Sequence, residues 1–178
     1  VLGAVLVLAG CGVQSKALGP PVYEIYRMPE EEVRPLLAGK TMMTFIDVYR
    51  DCHTIPVGQY FSSYCNERPG PGTQVEFLAE DGWSYLWYPG NRGVVRGQWT
   101  LHHWYDKYAI CFRYGAATRK PMTKDPRDSF DCTLLSDYAP TVAEKREGDP
   151  FNLASGRLPF VLVRDKTTID DLLKRTTQ

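Results

Sequence analysis

The residues of this 178-residue chain that could do chemistry include three histidines, five cysteines, scattered carboxylates and a band of tryptophans and tyrosines. His102 and His103 are neighbours in a strand-like segment. Adjacent strand residues face opposite sides, so the two cannot line one site together. A metal centre would need His53 and carboxylates brought from far along the chain. A cysteine–histidine nucleophile needs a free thiolate, which bridged cysteines do not offer. A serine–histidine–aspartate set has no Gly-x-Ser-x-Gly elbow to support it. Asp51, Glu76 and Glu80 have no distinguishing context. Gly70-Pro71-Gly72 and Gly90-x-x-Gly93 read as turns rather than a phosphate loop. The residues therefore assign no catalytic group, no metal and no cofactor. The competing reading is an envelope hydrolase that uses His53 or His102/His103.

The first residues carry a different signal. Val1 to Gly10 is an uncharged apolar run that ends in small residues, and Cys11 follows. This reads as the h-region and cleavage site of a secretory signal. It is about half the length of a transmembrane helix, which needs about 20 apolar residues. Leu8-Ala9-Gly10-Cys11 resembles the bacterial lipobox, in which the signal is cut before the cysteine and the cysteine carries a lipid. The resemblance implies lipid attachment at Cys11 and a membrane as the first partner. Gly12, in place of an aspartate after the cysteine, implies the periplasmic face of the outer membrane.

Besides Cys11 there are Cys52, Cys65, Cys111 and Cys132. An even count in an exported chain points to disulfides, with three pairings open. Cys52–Cys65 and Cys111–Cys132 are preferred because each closes a local loop rich in turn residues. Each bridge is expected to stabilise by roughly 3 kcal/mol through the unfolded state. No C-x-x-C pair is present to support a zinc site.

Lys+Arg and Asp+Glu both number 21, so no global field draws the chain to nucleic acid. The densest basic stretch, Arg119-Lys120…Lys124…Arg127, reads as a solvated loop. Residues 1–10 are read as a signal remnant, 11–22 as a lipid-anchored tether, and 23–178 as one β-rich domain. A short helix is expected over about 29–38. Pro29 opens it, Glu30 to Glu32 suit the positive end of its dipole, and Pro35 shortens or bends it. Residues 51–72 read as an irregular disulfide-pinned excursion. Thr73–Ala79, Trp83–Tyr88, Val94–His103 and Lys107–Tyr114 are separated by short Asp/Gly/Asn/Pro turns, the pattern of an antiparallel meander. A strand over Phe130–Asp137, a polar loop over 139–157, a strand over Leu158–Arg164 and a helix over about 167–175 complete the expectation.

The helix run EEEVRPLLAGKT, the Asp-Gly turn, Gly97-Gln98-Trp99 and the strand ending Ile110-Cys111-Phe112-Arg113-Tyr114 resemble a family of bacterial envelope proteins of unknown function. The resemblance covers about residues 28–114, with Cys132 as a partner beyond. It implies a small lipocalin-like antiparallel barrel or half-barrel, and it implies no activity.

Within that meander Trp83, Tyr85 and Trp87 alternate and share one face of a strand. Trp99 lies on the next strand and Phe112 on the one after. They read as core, or as an aromatic mouth for a small apolar ligand with Arg96 or His103 as its polar group. One end of this aromatic face is expected to stay open. The expectation is a mostly-β, non-catalytic, lipid-anchored module that binds such a ligand or an envelope protein. A second alternative is an inhibitor of an exported hydrolase, presenting a loop such as 115–129.

Overall fold

The computed structural model describes residues 17–57, 60–115 and 130–177, and the side chains of these apart from 51–63. Cys11, the tether before residue 17 and the basic loop 116–129 lie outside the described residues. Seven antiparallel strands form one sheet: β1 (Lys40–Val57), β2 (Tyr60–Leu78), β3 (Trp83–Trp87), β4 (Val95–Trp104), β5 (Lys107–Tyr114), β6 (Asp131–Leu134) and β7 (Val142–Glu147). Their order is β6-β5-β4-β3-β2-β1-β7. The meander over 73–114 is present as expected, and each short turn joins sheet neighbours. β6 and β7 end the sheet without meeting, so it is an open half-barrel rather than a closed barrel.

Both faces of the sheet are covered. Met42, Leu78, Trp99, Leu101 and Ile110 pack under the N-terminal segment and under α3 (Leu135–Tyr138) with the 3-10 turn that follows it. That segment carries α1 (Val22–Ile25) and α2 (Glu30–Val33). Met43, Val75 and Trp87 point the other way, under Phe151, Leu153, Leu162 and α4, which spans Ile169–Thr176. Thr168 caps α4 by accepting a hydrogen bond from the Asp171 N–H. Alternation along the strands explains the division: Met42 and Met43 are adjacent and must part.

Several local expectations change. The helix expected over 29–38 is one turn of α-helix, Glu30–Val33, followed by a 3-10 turn at Arg34–Leu36. Pro35 has no N–H to continue the α-helical ladder. Residues 139–157 were expected to be loop, yet they contain β7. Its charged sequence suits an edge: Lys40 pairs with Glu147 at 2.7 Å, and Arg146 with Asp170 at 2.7 Å. Leu158–Arg164 reads as a strand but joins no ladder. It crosses the sheet face instead, buries Leu162, and sets Phe160 edge-on to Trp87 at 4.9 Å. The Leu162 and Arg164 carbonyls accept from the Gly90 and Thr73 N–H groups.

The largest change is at 51–72, which is regular rather than irregular. β1 and β2 pair over seven rows within the sheet, Lys40↔Leu78 to Ile46↔Gly72. They then pair over ten more, Val48↔Pro69 to Val57↔Tyr60. Between the two runs, Gly70 and Pro71 oppose the single Asp47, which makes a bulge. A Cβ on Gly70 would strike the Ile46 carbonyl, so the close backbone approach there requires glycine. β7 leaves β1 at Thr44, and β3 leaves β2 at Val75. Beyond the bulge the two strands run on as a two-stranded ribbon.

The bridge Cys111–Cys132 is present and ties edge strand β6 to β5. The register places Cys52 directly opposite Cys65, and Cys65 is disulfide-bonded. The side chain of Cys52 is outside those described.

Gly97 of β4 lies beneath the ring of Tyr114 on β5, and a Cβ there would overlap it. Gly97→Val should therefore cost about 1–3 kcal/mol of stability in urea denaturation. The double variant with Tyr114→Ala should recover part of that loss; equal losses in the two would show the ring is not the obstacle.

Candidate functional site

The register divides the seven aromatic and polar candidates between two faces. Trp83, Tyr85 and Trp87 do share one face, and Arg96 joins them across β4. Trp99, His103 and Phe112 lie on the other face, the one that Gly97 and Tyr114 share. The Arg96 guanidinium sits 3.8 Å over the Trp83 ring and 6.0 Å from Tyr85. Trp83 and Tyr85 are half-buried beneath it. Trp87 is closed off by Phe151 and Phe160. Trp99 is buried, with its indole N–H donating to the Ala79 carbonyl at 2.9 Å and Arg34 over its ring. His103 is exposed and tilts against Tyr108, 4.6 Å between ring centres. The two core clusters fill opposite sides of the sheet, and two clefts, one lined from residues 45–48, 67–69 and 164–166 and one from 151–159, open to solvent.

The histidines stay apart. His102 and His103 take opposite faces near the end of β4, and His53 stands in the ribbon, opposite Tyr64. Among the described residues no group of three or more His, Cys, Asp and Glu side chains comes together.

One carboxylate does have an unusual environment. Glu76 is only 9% exposed and accepts a hydrogen bond from the Tyr114 hydroxyl, which reaches it by crossing Gly97. Burial pushes its carboxyl up to about 7, with the Tyr114 bond opposing the shift. Ser84 Oγ and the Tyr138 hydroxyl are buried beside the pair, and Ser84 joins Tyr114 in favouring the charged carboxylate. Burial raises the Tyr114 and Tyr138 hydroxyls too, and the Glu76 charge adds to it. A perturbed acid in a cleft marks a catalytic site. This one lines neither of those two clefts and sits in the packed core instead.

The larger cleft, about 640 Å³, lies where the ribbon leaves the sheet. Phe45, Val48 and Pro69 supply its apolar surface. Asp47, Glu67 and Arg68 come from the ribbon, and Arg164, Asp165 and Lys166 from the crossing segment. Some of these charges are engaged. Arg164 donates to the Asp47 carbonyl at 3.2 Å, Glu67 pairs with Arg50 at 2.6 Å, and Arg68 lies 5.0 Å over Tyr49. Among the described residues Asp47, Asp165 and Lys166 enter no ion pair, and Lys166 stands 5.8 Å from the Phe45 ring centre. The cleft thus offers an apolar floor between uncommitted charges of both signs, continuous with the unpaired edges of the ribbon. Sequence reasoning missed it because the residues come from three separate stretches. The one available signal was Pro69-Gly70-Pro71-Gly72, which marks the bulge.

No protein-family model, no curated protein and no solved structure matches the chain.

Because folding favours the protonated form of Glu76, its contribution is fully present below the ordinary value of 4.5 and is lost as pH rises through about 7. Stability should fall by about 3 kcal/mol across that window. Glu76→Gln should flatten the pH profile and leave the protein more stable than the wild type at pH 8, measured by urea denaturation. An unchanged slope would show that Glu76 does not titrate there.

Proposed function

We propose that this is a non-catalytic envelope protein, anchored by a lipid on Cys11, that grips a protein partner with the β1–β2 ribbon and the cleft at its base. The observation that carries the reading is the ribbon itself: ten paired rows with no third strand on either side among the described residues. At about 3.4 Å per residue it reaches about 30 Å beyond the bulge. An isolated two-stranded hairpin is marginal in water. Its length is better explained by a partner that covers it than by anything it adds to the fold. An unpaired strand edge accepts an extended polypeptide through main-chain hydrogen bonds, and nearby pockets select side chains. Pro56 and Pro69 lie within the ribbon, and proline on an edge resists indiscriminate pairing.

Three observations weigh against the rival readings. Among the described residues no group of three or more His, Cys, Asp and Glu side chains forms around His102 or His103. Trp87 and Trp99 are buried in packing, which takes them from an apolar ligand. The Glu76 environment lies away from both clefts. The inhibitor reading is a special case of the one proposed, with the ribbon taking the role first expected of the loop at 115–129. The signal-like N-terminus and the resemblance to bacterial envelope proteins support the lipid-anchored placement. Cysteine pairing in an oxidising compartment fits it as well.

A photo-crosslinking residue at Tyr64, which is 48% exposed on the ribbon, should give discrete adducts in exporting cells. The same residue at Tyr23, 60% exposed on α1, should not. Charge reversals Asp47→Lys and Lys166→Glu should lower the Tyr64 adduct yield roughly tenfold. Adducts from Tyr23 alone, or none from either position, would overturn the reading. An adduct of twice the chain mass would identify a second copy as the partner.

A further inference from the structure

At the end of the sheet opposite the ribbon, the β4–β5 hairpin carries two aromatic side chains into solvent. Trp104 is 59% exposed and Tyr105 88% exposed. Their rings stack at 6.3 Å with an interplanar angle of 25°. Tyr105 has φ 56°, in the left-handed region that a bulky side chain rarely adopts. Backbone strain of this kind persists where something selects the residue, since glycine would relieve it. The hairpin below the tip is held firmly. Tyr108 is buried, and its hydroxyl donates to the Met28 carbonyl at 2.9 Å. Among the described residues neither tip ring belongs to a core cluster.

The position of the tip suggests what covers it. β4 passes Trp99, whose indole bonds Ala79 just beyond the end of β2. It then continues for five more residues to Trp104. That places the tip about 17 Å beyond this row, at the end where β1 begins and β2 ends. The chain enters the domain in the same half. Leu18 is buried, and its carbonyl accepts from Lys145, whose strand partner Met42 is two residues from the start of β1. Six residue steps separate Cys11 from Ala17, a reach of at most about 20 Å. A lipid on Cys11 would hold this end of the domain close to the headgroups and turn the ribbon away from them.

We propose that the Trp104–Tyr105 tip is a second contact with the bilayer, seated at the headgroup level. The inference rests on the lipid-anchored reading above. Trp and Tyr suit that layer because each presents an apolar ring with one polar atom. Asp106 and Lys107 beside them offset each other, so the contact does not depend on anionic lipid.

The test reconstitutes the mature chain with vesicles of phosphatidylethanolamine and phosphatidylcholine brominated in the acyl chains. Tryptophan emission should be quenched, and Trp104→Phe should lose that quenching while keeping the wild-type circular dichroism. Tyr105→Gly relieves the strained backbone, so misfolding cannot account for its effect. It should weaken the partition of the non-acylated chain into vesicles by about tenfold. Equal quenching in Trp104→Phe, or none in the wild type, would overturn the proposal. So would an emission change with soluble glycan fragments and none with vesicles, which would reassign the tip to carbohydrate. Intact mass separately reads the acyl group on Cys11. An acylated chain without quenching removes the tip contact alone. An unmodified Cys11 with Trp104 quenched on adding vesicles removes the anchor and keeps the tip.

Discussion

The structure depends on one pairing, that of β1 with β2, and on the point where it bends. Seven rows of this hairpin form the centre of the sheet, and ten rows form the ribbon. The bulge opposite Asp47 separates the two functions within one continuous pair of strands. Pro69 and Pro71 cannot donate to a ladder, and Gly70 alone fits against the Ile46 carbonyl. Those three residues concentrate the irregularity in one place and leave regular pairing on both sides. Register follows from the same pairing. A slip of one residue would exchange Met42 and Met43 between two differently covered faces.

Covering both faces changes what a half-barrel can do. A lipocalin-like sheet that closes on itself keeps a lumen. Here both faces are taken up by other parts of the chain: residues 17–38 and 135–141 on one face, 149–176 on the other. The aromatic band is used for this packing, with Trp87 between Phe151 and Phe160 and Trp99 under Arg34. Burying Glu76 costs stability at neutral pH, because an acid taken out of water prefers its proton. The Tyr114 bond across Gly97 offsets part of that cost and satisfies a group that would otherwise be orphaned.

The molecule is polarised along its strands. The ribbon and its charged cleft occupy one end, and the chain entry and aromatic tip occupy the other. Such polarity suits a protein held at a surface on one side and presented to a partner on the other. Among its described side chains the ribbon is tied by cross-strand contacts such as Arg50–Glu67 and Arg68 over Tyr49. Exposed pairs of this kind contribute little each, and the register of Cys52 opposite Cys65 is where a covalent staple has most effect.

Strand periodicity and turn chemistry determined the meander over 73–114 directly. They also determined the shared face of Trp83, Tyr85 and Trp87, and the local cysteine pair 111–132. These features are legible because they depend on neighbours within about 20 residues. Pro35 likewise announced a broken first helix. Tertiary structure decided the rest. Whether Trp99 and Phe112 join Trp83 depends on inter-strand register, which no single strand encodes, and the register sends them to the other face. Residues 142–147 look like a polar loop because an edge strand needs charges, and residues 158–164 look like a strand because a face-crossing segment needs apolar residues. The ribbon was hidden by prolines and glycines that read as irregularity, although Pro69, Gly70 and Pro71 confine the break to one bulge. The cleft joins side chains from residues 45–48, 67–69 and 164–166, and only folding brings those stretches together.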